Sequence, residues 1–163
     1  MMEISAPSLL AVTTGLLGSA WASGAMASLT ITGIPAAKAF PETAAQTWAI
    51  IFAKGLLTIP PTAVSAGLLY GYAAWDASGR PNGQQSYFTT AAFLSAGVVP
   101  FTLIFLNDTN IKLQAVADGV SVLSEASVLA LADKWGSLNL IRSLLPLSAT
   151  LVAGYGLLKE LGL

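Results

Sequence analysis

The chain has 163 residues, of which 55% are hydrophobic and 9% are charged, and its formal net charge is −1. Soluble domains usually carry about 25% charged residues, and so short a chain could not bury this much apolar surface by itself. The composition therefore excludes an ordinary soluble domain and predicts a single membrane domain over residues 1–163. A net charge near zero gives no electrostatic basis for binding nucleic acid.

The sequence contains neither cysteine nor histidine. This excludes disulfides, thiol nucleophiles and thiolate metal sites, and it removes the most common metal ligand and general base. A histidine-ligated haem, zinc or non-haem iron site therefore cannot be built from this chain. A site made only of carboxylates and amides stays open.

Two apolar stretches in the first half of the chain are long enough to span a bilayer, which takes about 20 residues. We expect the first helix over residues 8–30, ending before the Gly33-Ile34-Pro35 sequence. Because no basic segment precedes it, we expect this helix to be retained rather than cleaved as a signal peptide. A polar connection over residues 35–46 then leads to a second helix over residues 47–75, with a proline pair near its middle.

The second half of the chain contains two further spans. Residues 76–86 combine glycine, proline, asparagine and two charges, which is typical of a loop. A third helix is predicted over residues 87–106, with Pro100 in its last two turns, and a fourth over residues 138–159. Residues 111–134 mix apolar and charged positions, so we expect an amphipathic helix, with a short fifth span as the alternative.

The predicted fold is all-α: an integral membrane four-helix bundle with an additional amphipathic helix between helices 3 and 4. Four spans place both termini on one side of the bilayer and connections 1–2 and 3–4 on the other. Those two connections carry Lys38, Lys112 and Lys134, whereas Arg80 and Lys159 lie on the opposite side. The excess of lysine favours a cytoplasmic location for connections 1–2 and 3–4.

This topology brings the unusual polar and aromatic residues to one side of the membrane. They are Trp48, Lys54, Asn107, Asp108, Asn110, Trp135, Asn139 and Arg142. The last helix should present Trp135, Asn139 and Arg142 on one face, because they are separated by four and then three residues. Helix 2 also carries a polar row, which we expect to face the bundle interior. The row consists of Thr47, Lys54, Thr58, Thr62 and Ser65.

Each of these residues also has a structural explanation. Lys54 could extend to the lipid headgroups or pair with Glu42 or Asp108. Arg142 could contact a lipid phosphate or a helix end. Trp48 and Trp135 could belong to an aromatic belt, and the side-chain amides of Asn107 and Asn110 could cap helix 3.

Several motifs give the chain a family resemblance. They are Trp21-Ala22-Ser23-Gly24 before Pro35, the stretch 48–55, Pro100-Phe101-Thr102 followed by Thr109-Asn110 and Leu113, and the block Trp135, Asn139, Arg142 and Pro146. In these motifs the sequence resembles the small fungal membrane proteins of the anthrone oxygenase family, over most of its length. The resemblance implies oxidation of an anthrone to an anthraquinone by molecular oxygen during aromatic polyketide biosynthesis.

The resemblance also implies an apolar aromatic substrate, with oxygen as co-substrate and no resident cofactor or metal. An anthrone enolises to an electron-rich anion, so its enzyme needs an apolar slot, a base and groups that hold the anion. Lys54 or Asp108 would remove the proton, and Arg142 with Asn110 and Asn139 would hold the anion. We expect substrate contacts from Trp48, Thr58, Phe101, Asn107 and Trp135.

We expect an integral membrane protein of the endoplasmic reticulum or another endomembrane, in contact with the lipid bilayer; a homo-oligomer stays open. A small transporter is one alternative, but it would need an inverted repeat and a midplane charge. A scaffold protein is another, although it would need no clustered polar residues beneath one leaflet. A cyclase or isomerase on the same scaffold, or a different cofactor-free oxidation, is the nearest competitor.

Overall fold

In the computed structural model, which describes residues 4–163, the chain is helical. Four long helices follow one another: α1 Ala6–Lys38, α2 Pro41–Ser78, α3 Gln85–Ala117 and α4 Glu125–Glu160. Each is long and apolar enough to cross a bilayer. No strand occurs among residues 4–163, so the expected all-α class with four apolar helices is confirmed.

Helix α1 is longer than the sequence predicts. It is α-helical over Ala6–Ser28, passes through a π-helical turn at Leu29–Gly33 and continues as an α-helix over Ile34–Lys38. The predicted end before Gly33 is wrong because the helix continues past Pro35, which comes directly after the π-helical turn. A proline inside a helix lacks the N–H donor, and local π-helical adjustments can satisfy the backbone groups that it frees.

Helix α2 begins with a short 3-10 turn at Pro41–Thr43 and is α-helical over Ala44–Ser78. The polar connection expected before it therefore shrinks to a few residues. Pro60 and Pro61 lie inside α2, and the helix continues through both. The loop between α2 and α3 falls within the predicted loop at residues 76–86.

Helix α3 also continues beyond its predicted end. It comprises the segments Gln85–Ala96 and Val98–Phe101, a π-helical turn at Thr102–Leu106 and a last segment, Asn107–Ala117. The polar cluster at residues 107–110 therefore lies inside a helix and does not cap its end.

The separate amphipathic helix expected over residues 111–134 is not confirmed. Residues 111–117 continue α3, residues 118–124 form the connection, and Glu125 begins α4. The charges that suggested a surface helix thus lie at the ends of two long helices. Helix α4 starts at Glu125, well before the predicted residue 138, because residues 125–137 are part of it and not of a separate helix.

The chain forms two compact units, each built from parts of all four helices. Within the described residues, unit 1 contains residues 4–23, Pro60–Val98 and Leu144–Leu163. Unit 2 contains Gly24–Ile59 and Val99–Ser143. Every residue that the sequence analysis assigns to the site lies in unit 2.

Small and hydroxyl side chains allow close helix packing in unit 1. A Cβ atom at Gly15 of α1 would come within 2.8 Å of Tyr70 Cε1 on α2. The Ser19 hydroxyl lies 2.8 Å from the Tyr70 hydroxyl and 2.7 Å from the Thr150 hydroxyl. The polar groups of three helices therefore satisfy one another in an apolar core.

The core of unit 2 surrounds two buried tryptophans, Trp48 of α2 and Trp135 of α4. Leu106 and Leu113 of α3 and Ile34 of α1 pack in the same cluster. All four helices therefore contribute to one packed core, which fixes the positions of the polar side chains beside it.

Candidate active site

Hydrogen bonds in unit 2 join α1, α3 and α4 around Asn139 and Arg142. The Asn139 side-chain amide donates to the Met26 carbonyl oxygen at 2.8 Å and to Thr30 Oγ1 at 3.0 Å. Arg142 Nη2 donates to Asn139 Oδ1 at 2.6 Å, and Arg142 Nη1 donates to Thr102 Oγ1 at 2.5 Å. We call these five residues the polar network.

The charge of Arg142 has no counter-charge within the polar network. Arg142 is 8% exposed, and no carboxylate of residues 4–163 lies within ion-pair distance of it. Its Nε atom is buried without a hydrogen-bond partner in the described chain. A buried charge is costly unless it is paired. The network therefore carries a buried positive charge that a bound anion would neutralise.

Both hydroxyl groups of the polar network lie in π-helical turns. Thr30 belongs to the turn in α1, and Thr102 begins the turn in α3. Thr30 Oγ1 also donates to the Gly136 carbonyl oxygen at 3.1 Å. Such turns are rare and often occur at functional sites. Neither threonine was predicted as a site residue, although Thr102 belongs to the Pro100-Phe101-Thr102 motif.

An aromatic cluster lies in the core of the same unit. Trp48 stacks on Phe52 with ring centroids 5.0 Å apart, and Trp135 meets Trp48 edge-on at 5.9 Å. Trp135 Nε1 donates to Asn110 Oδ1 at 2.9 Å, and Phe101 packs against the cluster. Trp48 and Trp135 are therefore core residues and do not belong to an exposed aromatic belt.

Lys54 and Thr58 lie on an exposed face of α2. The expectation that the polar row of helix 2 faces the interior is wrong, since Ser65 is exposed too and the remaining members are half-buried. Thr58 Oγ1 donates to the Lys54 carbonyl oxygen at 3.2 Å. A hydroxyl bonded to its own helix needs no partner in the core, and a long lysine side chain can reach polar surroundings. Lys54 therefore does not join Arg142 in the polar network.

The polar cluster on α3 is divided between solvent and core. Asn107 and Asp108 are exposed, and the Asp108 carboxylate pairs with Lys112 Nζ at 2.9 Å. Asn110 is half-buried and reaches Trp135 as described above. Of the candidate residues on this helix segment, Asn110 is the one that contacts the aromatic cluster.

A groove of about 530 Å³ opens in unit 2 between α1 and α4. Its lining residues are Thr30, Ile34, Pro35, Lys38, Asp133, Gly136, Ser137 and Leu140. Lys38 Nζ contacts both carboxylate oxygens of Asp133, at 2.6 and 2.7 Å. The groove therefore shares Thr30 with the polar network, and the sequence analysis did not predict it.

The family model described as Anthrone oxygenase matches residues 48–152. The chain belongs to the anthrone oxygenase family. The family resemblance read from the sequence motifs, and with it an oxygenase enzyme, is therefore confirmed. The matched residues contain all ten side chains that the sequence analysis assigned to an anthrone oxygenase site.

Curated fungal relatives agree with this family. The chain is 33% identical to Monooxygenase hypC of Dothistroma septosporum, over 80% of this chain and 73% of that protein. It is also 33% identical to the Noranthrone monooxygenase of Aspergillus flavus, over 90% of this chain and 71% of that protein. Anthrone oxygenase ptaC of Pestalotiopsis fici is 30% identical, over 69% of this chain and 84% of that protein. No solved structure matches the chain.

In this member of the family, the candidate residues form three groups. Asn139 and Arg142 belong to the polar network, and Trp48, Phe101, Asn110 and Trp135 belong to the aromatic cluster. Lys54, Thr58, Asn107 and Asp108 are exposed. The first two groups join residues from distant parts of the chain, as an active site would.

Proposed function

We propose that this protein is a membrane-embedded, cofactor-free oxygenase that converts an anthrone-type aromatic polyketide to an anthraquinone with molecular oxygen. The names of all three relatives support an oxygenase reaction, and two of them, Noranthrone monooxygenase and Anthrone oxygenase ptaC, support the substrate class. The sequence has no histidine or cysteine, and residues 4–163 contain no group of three potential metal ligands. These features favour direct reaction of the substrate with oxygen.

The chemistry is balanced without a further reductant. A base removes a proton from the methylene carbon opposite the ketone, which gives the enolate. The enolate passes one electron to oxygen, and the resulting radical and superoxide combine, with return of the proton, to a hydroperoxide. Loss of one water molecule leaves the second carbonyl of the quinone. Two oxygen atoms thus enter the reaction, one ending in the quinone and one in water.

The observation that carries this proposal is the unpaired charge of Arg142. Both the enolate and superoxide are anions, and a buried cation stabilises them more strongly than a solvated one. Asn139 and Thr102 hold two of the guanidinium nitrogens, so Arg142 is already oriented before substrate binds. Asn110, fixed by Trp135, supplies a further amide near the aromatic cluster.

The remaining candidate residues keep their proposed roles as contacts of the incoming substrate. Lys54 and Asp108 are the proposed bases, and both side chains are exposed; Asp108 would have to leave its ion pair with Lys112 to reach a ligand. Thr58 and Asn107 would contact the substrate from the same exposed surfaces. Phe101, Trp48 and Trp135 would form the apolar wall beside the reacting ring.

A membrane location fits the exposed surface of the helices. Each long helix exposes large apolar side chains, for example Leu17, Leu57, Phe93 and Leu151. Exposed apolar area on this scale is costly in water but not in lipid. A flat apolar substrate would also concentrate in the bilayer. We therefore propose an integral membrane protein, with the endoplasmic reticulum or another endomembrane as its location.

Oxidation of anthrone by purified protein tests the reaction. Protein in detergent, treated with chelator and free of flavin, should form anthraquinone faster than the spontaneous background and consume one oxygen molecule per product. With isotopically heavy oxygen gas, the product should gain one heavy atom. A requirement for added metal or flavin would refute cofactor independence, and a ring-closed product without oxygen uptake would indicate a cyclase.

The Arg142→Leu variant tests the site. We expect kcat to fall about a hundredfold, as for removal of an anion-stabilising donor. The kcat of Arg142→Lys should lie between those of the wild type and Arg142→Leu, because lysine keeps the charge but cannot bind Thr102 and Asn139 at the same time. The matched control is Lys159→Met, which removes a cation that lies over the rings of Tyr87 and Tyr155 in unit 1. Full activity of folded Arg142→Leu protein would refute the role of Arg142.

A further inference from the structure

The groove between α1 and α4 has the features of a binding site for a small flat molecule. Its volume of about 530 Å³ lies in the range of small-molecule sites, about 300–1,000 Å³. Its lining includes apolar groups of Ile34, Pro35, Gly136 and Leu140. Polar groups lie at two positions along α1, at Thr30 and, two helical turns later, at Lys38.

The two polar positions have different properties. Lys38 is held by Asp133, and their side chains are 32% and 58% exposed, so the ion pair is open to a ligand. Thr30 is held between the Asn139 amide and the Gly136 carbonyl oxygen. Thr30 therefore connects the groove to Arg142 through a single residue, Asn139.

We propose that this groove is the docking slot for the aromatic substrate, a flat tricyclic ketone that carries phenolic hydroxyl groups. The proposal rests on the proposed function and deepens it by placing the first contact of the substrate, before the substrate reaches the wall of Phe101, Trp48 and Trp135 beside which it reacts. The apolar lining of the groove accepts the ring faces, and the Lys38–Asp133 pair binds a phenolic oxygen, with the ammonium as donor and the carboxylate as acceptor. Thr30 is a positioning residue, because it holds Asn139 in the orientation that Arg142 requires.

Gly136 lies where the groove has little spare space between α1 and α4. A Cβ atom there would lie 3.3 Å from Ile34 Cγ1 and 3.5 Å from Thr30 Cγ2, so a single methyl group narrows the groove. Gly24 is a helical glycine of the same unit with nothing within 4 Å of an added Cβ atom. Gly154 on α4 would meet its nearest neighbour, Leu16 Cδ2, at an ordinary 3.8 Å. These two glycines are matched controls for a change from glycine to alanine.

The first experiment measures binding and turnover in Gly136→Ala, Gly24→Ala and Gly154→Ala proteins. We expect Gly136→Ala to raise KM about tenfold or more, with a smaller change in kcat, and both controls to resemble wild type. Ser137→Leu fills the groove from an exposed position and should act like Gly136→Ala even if that variant folds poorly. Wild-type KM in both groove variants would overturn the proposal.

The second experiment tests the chemical class of the ligand. Binding of the oxidised products anthraquinone and a dihydroxyanthraquinone is measured calorimetrically, so that the readout needs no oxidation. Lys38→Met should weaken binding of the dihydroxy compound about tenfold and leave the parent compound unchanged. Equal effects on both compounds would refute a phenol contact at Lys38.

These measurements separate the groove from the reaction. If wild-type protein binds the dihydroxy compound through Lys38 but does not oxidise anthrone, the groove is supported and the oxidation fails. If wild-type protein oxidises anthrone and neither groove variant changes KM or binding, the oxidation is supported and the groove fails.

Discussion

The two buried tryptophans of unit 2 differ in the partner of the indole N–H group. Trp135 Nε1 donates to Asn110, whereas Trp48 Nε1 has no acceptor in the described chain. An unsatisfied buried donor already carries its desolvation cost, so its removal loses nothing in hydrogen bonding. Both rings are otherwise almost fully buried in one cluster. A comparison of the two tryptophans therefore isolates the contribution of one hydrogen bond to the free energy of unfolding.

We expect Trp135→Phe to destabilise the protein more than Trp48→Phe, by about 1 kcal/mol. Each substitution removes the same atoms from the core, and Trp135→Phe also leaves the side-chain oxygen Oδ1 of Asn110 without its donor. Reversible unfolding in detergent, followed by circular dichroism, gives the difference. A larger loss in Trp48→Phe would mean that its indole nitrogen has a partner in the folded protein, such as a buried water molecule.

Several candidate residues were predictable because their spacing alone constrains them. Asn139 and Arg142 are three residues apart on one helix, which predicts a shared face, and the structure bonds them directly. The partners Met26 and Thr30 were not predictable, since a backbone carbonyl and an ordinary threonine carry no pattern. The prediction that Lys54 faces the bundle interior is wrong because a polar residue in a membrane helix does not always need a partner in the core. A hydroxyl satisfied by its own backbone and a long flexible amine both remove that requirement.

At the scale of helices, cores were predictable and ends were not. The apolar stretches predicted four helices, but the ends predicted after residues 30 and 106 and the start predicted at residue 138 all lie inside helices of the structure. Proline and asparagine indicate helix ends in isolation. Here neighbouring helices pack against the extended segments, as in the contact of Ile34 and Leu113 with the core of unit 2. Tertiary packing therefore overrides the local signals.

The π-helical turn of α3 is the element most closely tied to the polar network. A π turn contains one residue more than a regular helix, so deleting one residue inside it can restore an α-helix without rotating the flanking segments. Deletion of Ile104, which is exposed, should therefore keep the helical content but move Thr102 relative to Arg142. We expect at least about a tenfold loss of kcat, since small displacements at a site have large effects.

The control for this deletion is removal of Val122 from the exposed connection between α3 and α4. It shortens the chain by the same amount outside the helices and should leave both helical content and turnover unchanged. Circular dichroism and anthrone oxidation are measured on both proteins. Wild-type turnover after deletion of Ile104 would show that the π turn does not position the network.

For the whole molecule, alternating membrane crossings set which connections share a side. If all four helices cross the bilayer as proposed, the α1–α2 and α3–α4 connections share one side of the membrane and the α2–α3 loop lies on the other. Lys38, Lys112 and Lys134 lie near the α1–α2 and α3–α4 connections. This excess of lysine favours a cytoplasmic location for these two connections. Since the sequence contains no cysteine, a single introduced thiol reports its own position without background.

We therefore expect Ala39→Cys and Val122→Cys to react with a membrane-impermeant maleimide in sealed microsomes whose cytoplasmic face is outward. Asn82→Cys, in the α2–α3 loop, should react only after the membrane is permeabilised. The reverse pattern would refute the cytoplasmic assignment but retain four crossings. Labelling of all three positions in sealed vesicles would refute the crossings themselves. In that case the apolar surface of the helices would have to be covered by another protein rather than by lipid.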